Sequence, residues 1–322
     1  MDGKIAIEEH FVTPELEDVV MNPGWPADAF RAVLDRLEDT DGERLERMDR
    51  NGVEVAVLSL AANGIQEEVD AGRAAERARQ ANDALAGIVA RHPDRYAGFG
   101  AVALQDPYAA ADEAQRAVRE LGFRGILVNG YTNVGDADTA AYYDDERFLP
   151  FWERMEWLDV PLYLHPRNPL PSQRRIYEGR PELLGPTWAF GVETATHALR
   201  LITSGLFDRF PRLTVILGHL GEGLPFALYR LEQRLSRIPE VTLGKPATHY
   251  LRDNFHITTS GNPHTASLVG ILLQLGADRL MFAADYPFED MEAGAAWFDE
   301  VPISDSDREK IGRRNAQRLL RL

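Results

Sequence analysis

Cysteine is absent from this chain of 322 residues. That excludes disulfides, thiolate-held metals, iron–sulfur clusters and a cysteine nucleophile together. Lysine is nearly absent. Lys4, Lys245 and Lys310 are the only ones, and arginine supplies the rest of the 35 basic residues. Lys4 lies at the start of the first candidate strand, Lys245 in a connector and Lys310 in the last helical stretch. None stands at the C-terminal end of a strand, which argues against Schiff-base chemistry and against a carboxylated lysine bridging two metals. Positive charge is scarce as a whole, because 51 acidic residues leave a net charge of −16. No run of Lys and Arg offsets it, so no nucleic-acid partner is expected. No apolar run approaches the length of a membrane span, and no membrane partner is expected. Acidic residues interrupt the N-terminal MDGKIAIEEHF, which is unlike a signal peptide. A cytoplasmic protein acting on a small molecule is the expectation. There is no Walker A pattern and no G-x-S-x-G elbow. GFGAVA at Gly98–Ala103 mimics a dinucleotide fingerprint but lies inside a strand pattern, not on a strand-to-helix turn.

What is present is an alternation of short apolar runs and longer helical stretches. The runs are Lys4–Glu8, Glu54–Leu60, Tyr96–Val102, Gly125–Asn129, Pro161–His165, Leu213–Gly218, Phe255–Ser260 and Arg279–Ala283. Most are apolar throughout, as strands buried on both faces are. The spacing predicts helices over Asp41–Asn51, Gly72–Arg91, Pro107–Leu121, Phe148–Leu158, Val192–Phe207, Leu224–Ile238, Thr265–Leu275 and Ser306–Leu320. Gly52 is placed to cap the first of them. This α/β alternation predicts a single (β/α)8 TIM barrel spanning residues 1–322, with an open doubly wound sheet as the other architecture of the same pattern. Long connections follow strands one, four and five. All three would leave the C-terminal face, where barrels carry their active sites.

Polar residues gather at the C-terminal ends of the strands: Glu8, Glu9 and His10, then Asn129, His165, His219, Thr259 and Ser260, and Asp285. Glu8 and His10 are two residues apart, so on a strand they share a face. An exposed polar strand end would read the same way. His165 and Asp285 alter the balance, because two carboxylates and two imidazoles would complete a mononuclear site for Zn²⁺, Mn²⁺ or Mg²⁺. Asp285 could instead cap a helix, but Pro287 follows and favours a loop. His219 lies among Gly218, Gly221 and Gly223, which let the backbone approach a ligand. Glu222 could orient its imidazole, or could merely begin the next helix. His197 falls mid-helix and reads as structural. His256 falls near the start of strand seven, at the opposite end of the barrel. Trp188, Tyr286 and Phe288 are candidate apolar walls for an aromatic ring.

The segments IAIEEHF, LVNG, YLHPRNPLP, LLGPTWAF, ILGHLGEGLPF, NFHITTSGN and FAADYPFE, with KIGRRNAQRLLRL at the end, resemble the decarboxylase branch of the amidohydrolase superfamily. Within that branch the likeness is nearest to the 2,6-dihydroxybenzoate (γ-resorcylate) decarboxylases. It runs over nearly the whole chain. It implies a metal-dependent barrel, a homotetramer, and Glu8, His10, His165 and Asp285 as ligands of one divalent ion. His219 and Glu222 match the family's histidine–glutamate pair, Arg230 an arginine supporting that region, and Asn129 a polar pocket residue. E-x-H, where hydrolytic relatives have H-x-H, is similar to the decarboxylase pattern. The activity implied is reversible, non-oxidative decarboxylation of a small aromatic acid, an ortho-hydroxybenzoate, with Asp285 delivering a proton to the ring and no organic cofactor. Hydrolysis or hydration on the same barrel, and a non-catalytic binding protein, are the competing classes.

Overall fold

The computed structural model describes residues 1–322. Eight strands form one parallel sheet in chain order: β1 (Lys4–Phe11), β2 (Val53–Leu60), β3 (Tyr96–Gly100), β4 (Gly125–Asn129), β5 (Leu162–His165), β6 (Val215–Leu217), β7 (Phe255–Thr258) and β8 (Leu280–Met281). The ring is closed by the chain running on from β8 against β1. Ile7 N donates to Phe282 O (3.2 Å), Asp285 N to Glu8 O (3.0 Å) and His10 N to Tyr286 O (2.8 Å). The sheet is thus a (β/α)8 barrel and not an open doubly wound sheet.

Alternation along the strands builds two cores at once. Ile5, Ile7, Val57, Phe99, Leu127, Tyr163, Ile216 and Met281 fill the lumen as one cluster. Their neighbours Ala6, Ala56, Leu58, Val128, Leu164, Val215 and Ile257 face outward and join the larger cluster under the helices. A strand buried on both faces must be apolar throughout, which explains the runs in the sequence. Each fully buried large aliphatic side chain contributes roughly 1.5–3 kcal/mol.

The outer layer comprises α1 (Ala27–Glu38), α2 (Glu43–Arg50), α3 (Ala71–Arg91), α4 (Pro107–Arg119), α5 (Leu149–Leu158), α6 (Ala189–Thr203), α7 (Leu206–Arg209), α8 (Leu224–Leu235), α9 (Ala247–Asp253), α10 (Thr265–Leu275), α11 (Met291–Glu300), α12 (Asp305–Glu309) and α13 (Asn315–Leu320). Gly52 follows α2 at φ +64°, as its capping position requires. Three differences from the sequence pattern have physical causes. The expected stretch Val192–Phe207 is cut at Gly205, whose φ of +77° ends α6 and starts α7. The final stretch is split by a π-helical turn at Lys310–Arg314. Strand three ends at Gly100, after which Ala101 N turns to the side chain of Asn82 (2.8 Å) instead of a neighbouring strand. α1 and α11 lie where connections were expected.

The three long connections do leave the C-terminal ends of β1, β4 and β5. The first carries α1, the second a two-residue ribbon (Thr132–Asn133 with Ala140–Ala141), and the third a series of 3-10 turns from Pro171 to Thr187. No helix is long and apolar enough to cross a membrane.

Candidate metal centre and active site

The register of β1 against β2 shifts between Ala6 and Glu9, so that after Ile7 it is Glu8 and His10 that project into the barrel mouth, where His165 ends β5 and Asp285 lies beyond β8. One ligand atom from each of the four comes within 4.8 Å of all the others, and all four residues are buried. His10 Nε2 is 3.2 Å from Asp285 Oδ1, and His165 Nε2 is 3.4 Å from Glu8 Oε1. The far nitrogens are engaged outside the cluster. His10 Nδ1 meets Ser59 Oγ at 3.3 Å and His165 Nδ1 meets Pro166 O at 3.0 Å. Both imidazoles therefore turn Nε2 inward, the arrangement in which a metal-ligating histidine is held by its other nitrogen.

Glu8 supplies the test of fit. Its Oε2 is held by the hydroxyls of Tyr163 on β5 and Thr258 on β7, across the lumen. Its Oε1 is buried with no hydrogen-bond partner. Burial pushes the Glu8 carboxyl above the usual range. A desolvated carboxylate with a free oxygen beside two imidazoles and a second carboxylate wants a cation. The donor set, two oxygens and two nitrogens, suits Mn²⁺ or Zn²⁺.

Asp285 is buried as well, which opposes its ionisation, but hydrogen bonds to His10 and His219 outweigh this and hold its carboxyl below the usual range. For His219, burial opposes the charged form, and Glu222 followed by Glu8 reverses the balance and raises it well above an ordinary imidazole. His219 Nδ1 is 2.7 Å from Glu222 Oε1, and its Nε2 reaches Asp285 Oδ2 at 3.5 Å and Glu8 Oε1 at 3.7 Å. Burial, then the neighbouring His10, holds His165 well below 6.5.

The backbone here is costly. His219, Leu220, Glu222 and Asp285 all have φ between +51° and +65°. Non-glycine residues in that region cost roughly 1 kcal/mol or more each and need surrounding structure to hold them. Leu220 N donates to Thr258 O at 2.9 Å. Asp285 is clamped by Glu9, whose carboxylate accepts from Ala284 N (2.9 Å) and Tyr286 N (3.2 Å), the amides on either side. Burial raises the Glu9 carboxyl to about 8. Arg44 of α2, also buried, donates to His10 O at 2.7 Å and lies over the Tyr286 ring. Neither the bracing role of Glu9 nor Arg44 was evident from the sequence. Alternation was the available signal for Glu9, since it faces away from Glu8 and His10 into the barrel wall. It was likewise the signal for Tyr163 and Thr258, which share the inward parity of His165 and Ser260.

A cavity opens above the cluster. His165, His219 and Asp285 form its floor, and Met21, Trp25, Phe190 and Phe288 form its walls. Phe288 packs edge-on to His10, with ring centroids 5.5 Å apart. Trp188 lies outside this cavity, on a groove between α6 and α8 that reaches His219 and Asp285. Tyr286 is buried behind the centre against Arg44 and does not line the cavity. Arg230 is exposed on α8, away from the cluster. Asn129 ends β4 opposite His165, and its Oδ1 is buried without a partner. Trp25, Phe190 and Glu289 line the cavity and were not among the expected wall residues. They stand on loops and a helix start, where no periodicity marks an inward face.

A model of the family described as "Amidohydrolase" matches residues 8–322. The γ-resorcylate decarboxylase of Rhizobium radiobacter is 50% identical over 327 residues, covering 100% of this chain and 99% of that one. A crystal structure of 2,6-dihydroxybenzoate decarboxylase complexed with 2,6-dihydroxybenzoate superposes with a TM-score of 0.96, at 50% identity and 100% coverage of both chains. A dihydroxybenzoic acid decarboxylase from Polaromonas sp. JS666, with bound manganese and the inhibitor 2-nitroresorcinol, gives a TM-score of 0.96 at 48% identity, covering 100% of this chain and 98% of that one. The chain therefore belongs to the amidohydrolase family, on the branch that contains the γ-resorcylate decarboxylases.

Proposed function

We propose that this enzyme is a metal-dependent carboxy-lyase that converts 2,6-dihydroxybenzoate reversibly to resorcinol and CO2. The observation that carries the reading is the Glu8–His10–His165–Asp285 cluster beneath an aromatic-walled cavity, in a chain half identical over its full length to a γ-resorcylate decarboxylase. The four residues are assigned as ligands of one divalent ion per chain, taken as Mn²⁺, with Zn²⁺ or Mg²⁺ also suited to the donors. The ion, when bound, supplies positive charge that holds an anionic ortho-hydroxycarboxylate and favours its phenolate.

The protein's part is orientation and proton transfer. Phe288, Trp25 and Phe190 sandwich the ring and exclude water. His219, steadied by Glu222, donates to the substrate carboxylate or a ring oxygen. Asn129, buried beside His165 at the end of β4, is assigned a polar contact. Asp285 is ionised in the free protein. On binding it takes the phenolic proton and delivers it to the ring carbon that bears the carboxylate. That carbon becomes tetrahedral, the bond to the carboxylate breaks, its electron pair restores the aromatic ring as a phenolate, CO2 leaves, and the phenolate takes a proton from solvent to give resorcinol. In the opposite direction, high bicarbonate drives carboxylation. Trp188 and Tyr286 are candidate walls for the ring, and the resemblance assigns Arg230 to support the substrate region. Trp188 lines the groove that reaches His219 and Asp285, whereas Arg230 is exposed on α8, so contact from Arg230 with substrate requires a neighbouring copy, in keeping with the homotetramer we assign. Tyr286 acts from behind Asp285. Residues 1–322 work as one barrel unit in the cytoplasm.

The test is CO2 release and loss of substrate absorbance with 2,6-dihydroxybenzoate after loading with Mn²⁺, with 2,3-dihydroxybenzoate, salicylate and 5-carboxyvanillate in parallel. Turnover of the 2,6-isomer, abolished by a chelator, is the expected result. Turnover of another ring alone would move the substrate assignment. No CO2 from any of them would overturn the decarboxylase reading in favour of hydrolysis.

A further inference from the structure

The opposite end of the barrel carries a second polar site. A cavity of about 360 Å³ lies at the N-terminal mouth, bordered by Pro161, Thr214, His256, Arg279, Arg318 and Arg321. His256 is two residues before Thr258, whose side chain meets Tyr163 in the lumen, so by alternation His256 also points inward. It is buried. Its Nε2 lies 3.1 Å from Arg279 Nη1. A guanidinium only donates, so Nε2 is the acceptor, and the neutral ring carries its proton on Nδ1. That Nδ1 is buried with no partner. It is a donor removed from water with nothing to accept it, which costs free energy unless a ligand or water does so.

The arginines are uncommitted in the same way. Arg279 pairs with no carboxylate. Arg318 donates only to Asp278 O (3.0 Å) and Asn315 Oδ1 (3.2 Å). The carboxylates at the rim are already engaged, Asp278 by Lys310 at 2.9 Å and Asp159 by Arg321. In a protein of net charge −16, two free guanidiniums beside an unsatisfied N–H form a local reversal of sign. Arginine forks match the geometry of a phosphate, and His256 Nε2 holds one of them at the cavity wall.

We propose that this mouth is an anion site, separate from the metal centre, that takes a doubly charged phosphate group, free or carried by a small metabolite. Calorimetric titration of inorganic phosphate and of AMP into the metal-loaded protein, at constant ionic strength, tests it. Binding at one site per chain is expected, weakened at least tenfold in both Arg279→Gln and Arg318→Gln, with metal content unchanged. Tighter binding of AMP would identify a phosphate-bearing metabolite, and binding of inorganic phosphate alone the free ion. Identical isotherms for the unsubstituted protein and both variants would place the phosphate at the metal centre and overturn the proposal. So would the absence of binding. Arg318 is exposed on α13, so its variant decides the matter if loss of Arg279 disturbs folding.

Discussion

Glu8, Glu9 and His10 are three consecutive residues with divided work. Glu8 and His10 face the lumen, and Glu9 faces the wall and brackets Asp285. His10→Ala removes one of four donors. Loss of an outer partner typically costs a metal site 10–100-fold in affinity, so loss of a donor should cost at least about 100-fold. Metal analysis after dialysis is expected to show a nearly empty protein, and full occupancy would remove His10 from the ligand set. Asp285→Asn should lower kcat by about 10²–10⁴, the usual worth of a positioned proton donor, while ring binding survives. A near-normal rate would end that role. Gly218 is the third test. A Cβ there would sit 2.8 Å from Glu8 Oε2 and 3.1 Å from the Tyr163 hydroxyl. Gly218→Ala should displace the carboxylate and cut metal affinity at least about tenfold, with an unchanged circular dichroism spectrum. Much of this centre was legible, because strand-end position and two-residue spacing identify which side chains converge. Glu9, Tyr163 and Arg44 were not singled out. A buried brace has the same residue types as an exposed strand end or helix face, and only the packing separates them.

At the scale of elements, the strands were the most legible, since burial on both faces leaves an unmistakable apolar run. Boundaries were less so. β8 is assigned only Leu280–Met281, because beyond it the chain exchanges strand pairing for the hydrogen bonds that close the barrel and present Asp285. α11 was overlooked although its start is marked. Asp290 caps it, accepting from Glu292 N (2.9 Å) and Ala293 N (3.3 Å). Its sequence, MEAGAAWFDE, buries only Met291, Ala295 and Phe298, too weak a stripe to stand out among small residues. α11 follows directly on the loop that carries Asp285, so the cap also steadies the exit from the site. Asp290→Ala should cost about 1 kcal/mol, the usual worth of an N-cap, and lower the melting temperature by a few degrees. An unchanged melting curve would show that α11 holds by packing alone.

For the whole molecule, two features pull against each other. A net charge of −16 drives copies apart. Yet Trp188 (60% exposed), Phe226 (55%) and Tyr229 (81%) are left exposed at the start of α6 and around α8. The groove between these helices runs down to His219 and Asp285, so the active-site mouth opens onto an apolar face. Composition showed the charge but not the groove, because Trp188 comes beside α8 only when the connection after β5 folds there. Covering such a face with another copy removes apolar area from water and shelters the mouth. Light scattering should therefore find particles several times the 36.1 kDa of one chain. Charge repulsion is screened beyond about 8 Å at physiological ionic strength, whereas apolar contact is not weakened by salt. The assembly should persist or grow as salt rises from about 0.05 to 0.5 M, across which the screening length falls from roughly 14 to 4 Å. Tyr229→Glu should shift the mass toward the single chain, more so at low salt, where the added charges repel most. A particle of 36.1 kDa for the unsubstituted protein across that range would mean that this face meets solvent. Arg230 would then have no route to the substrate.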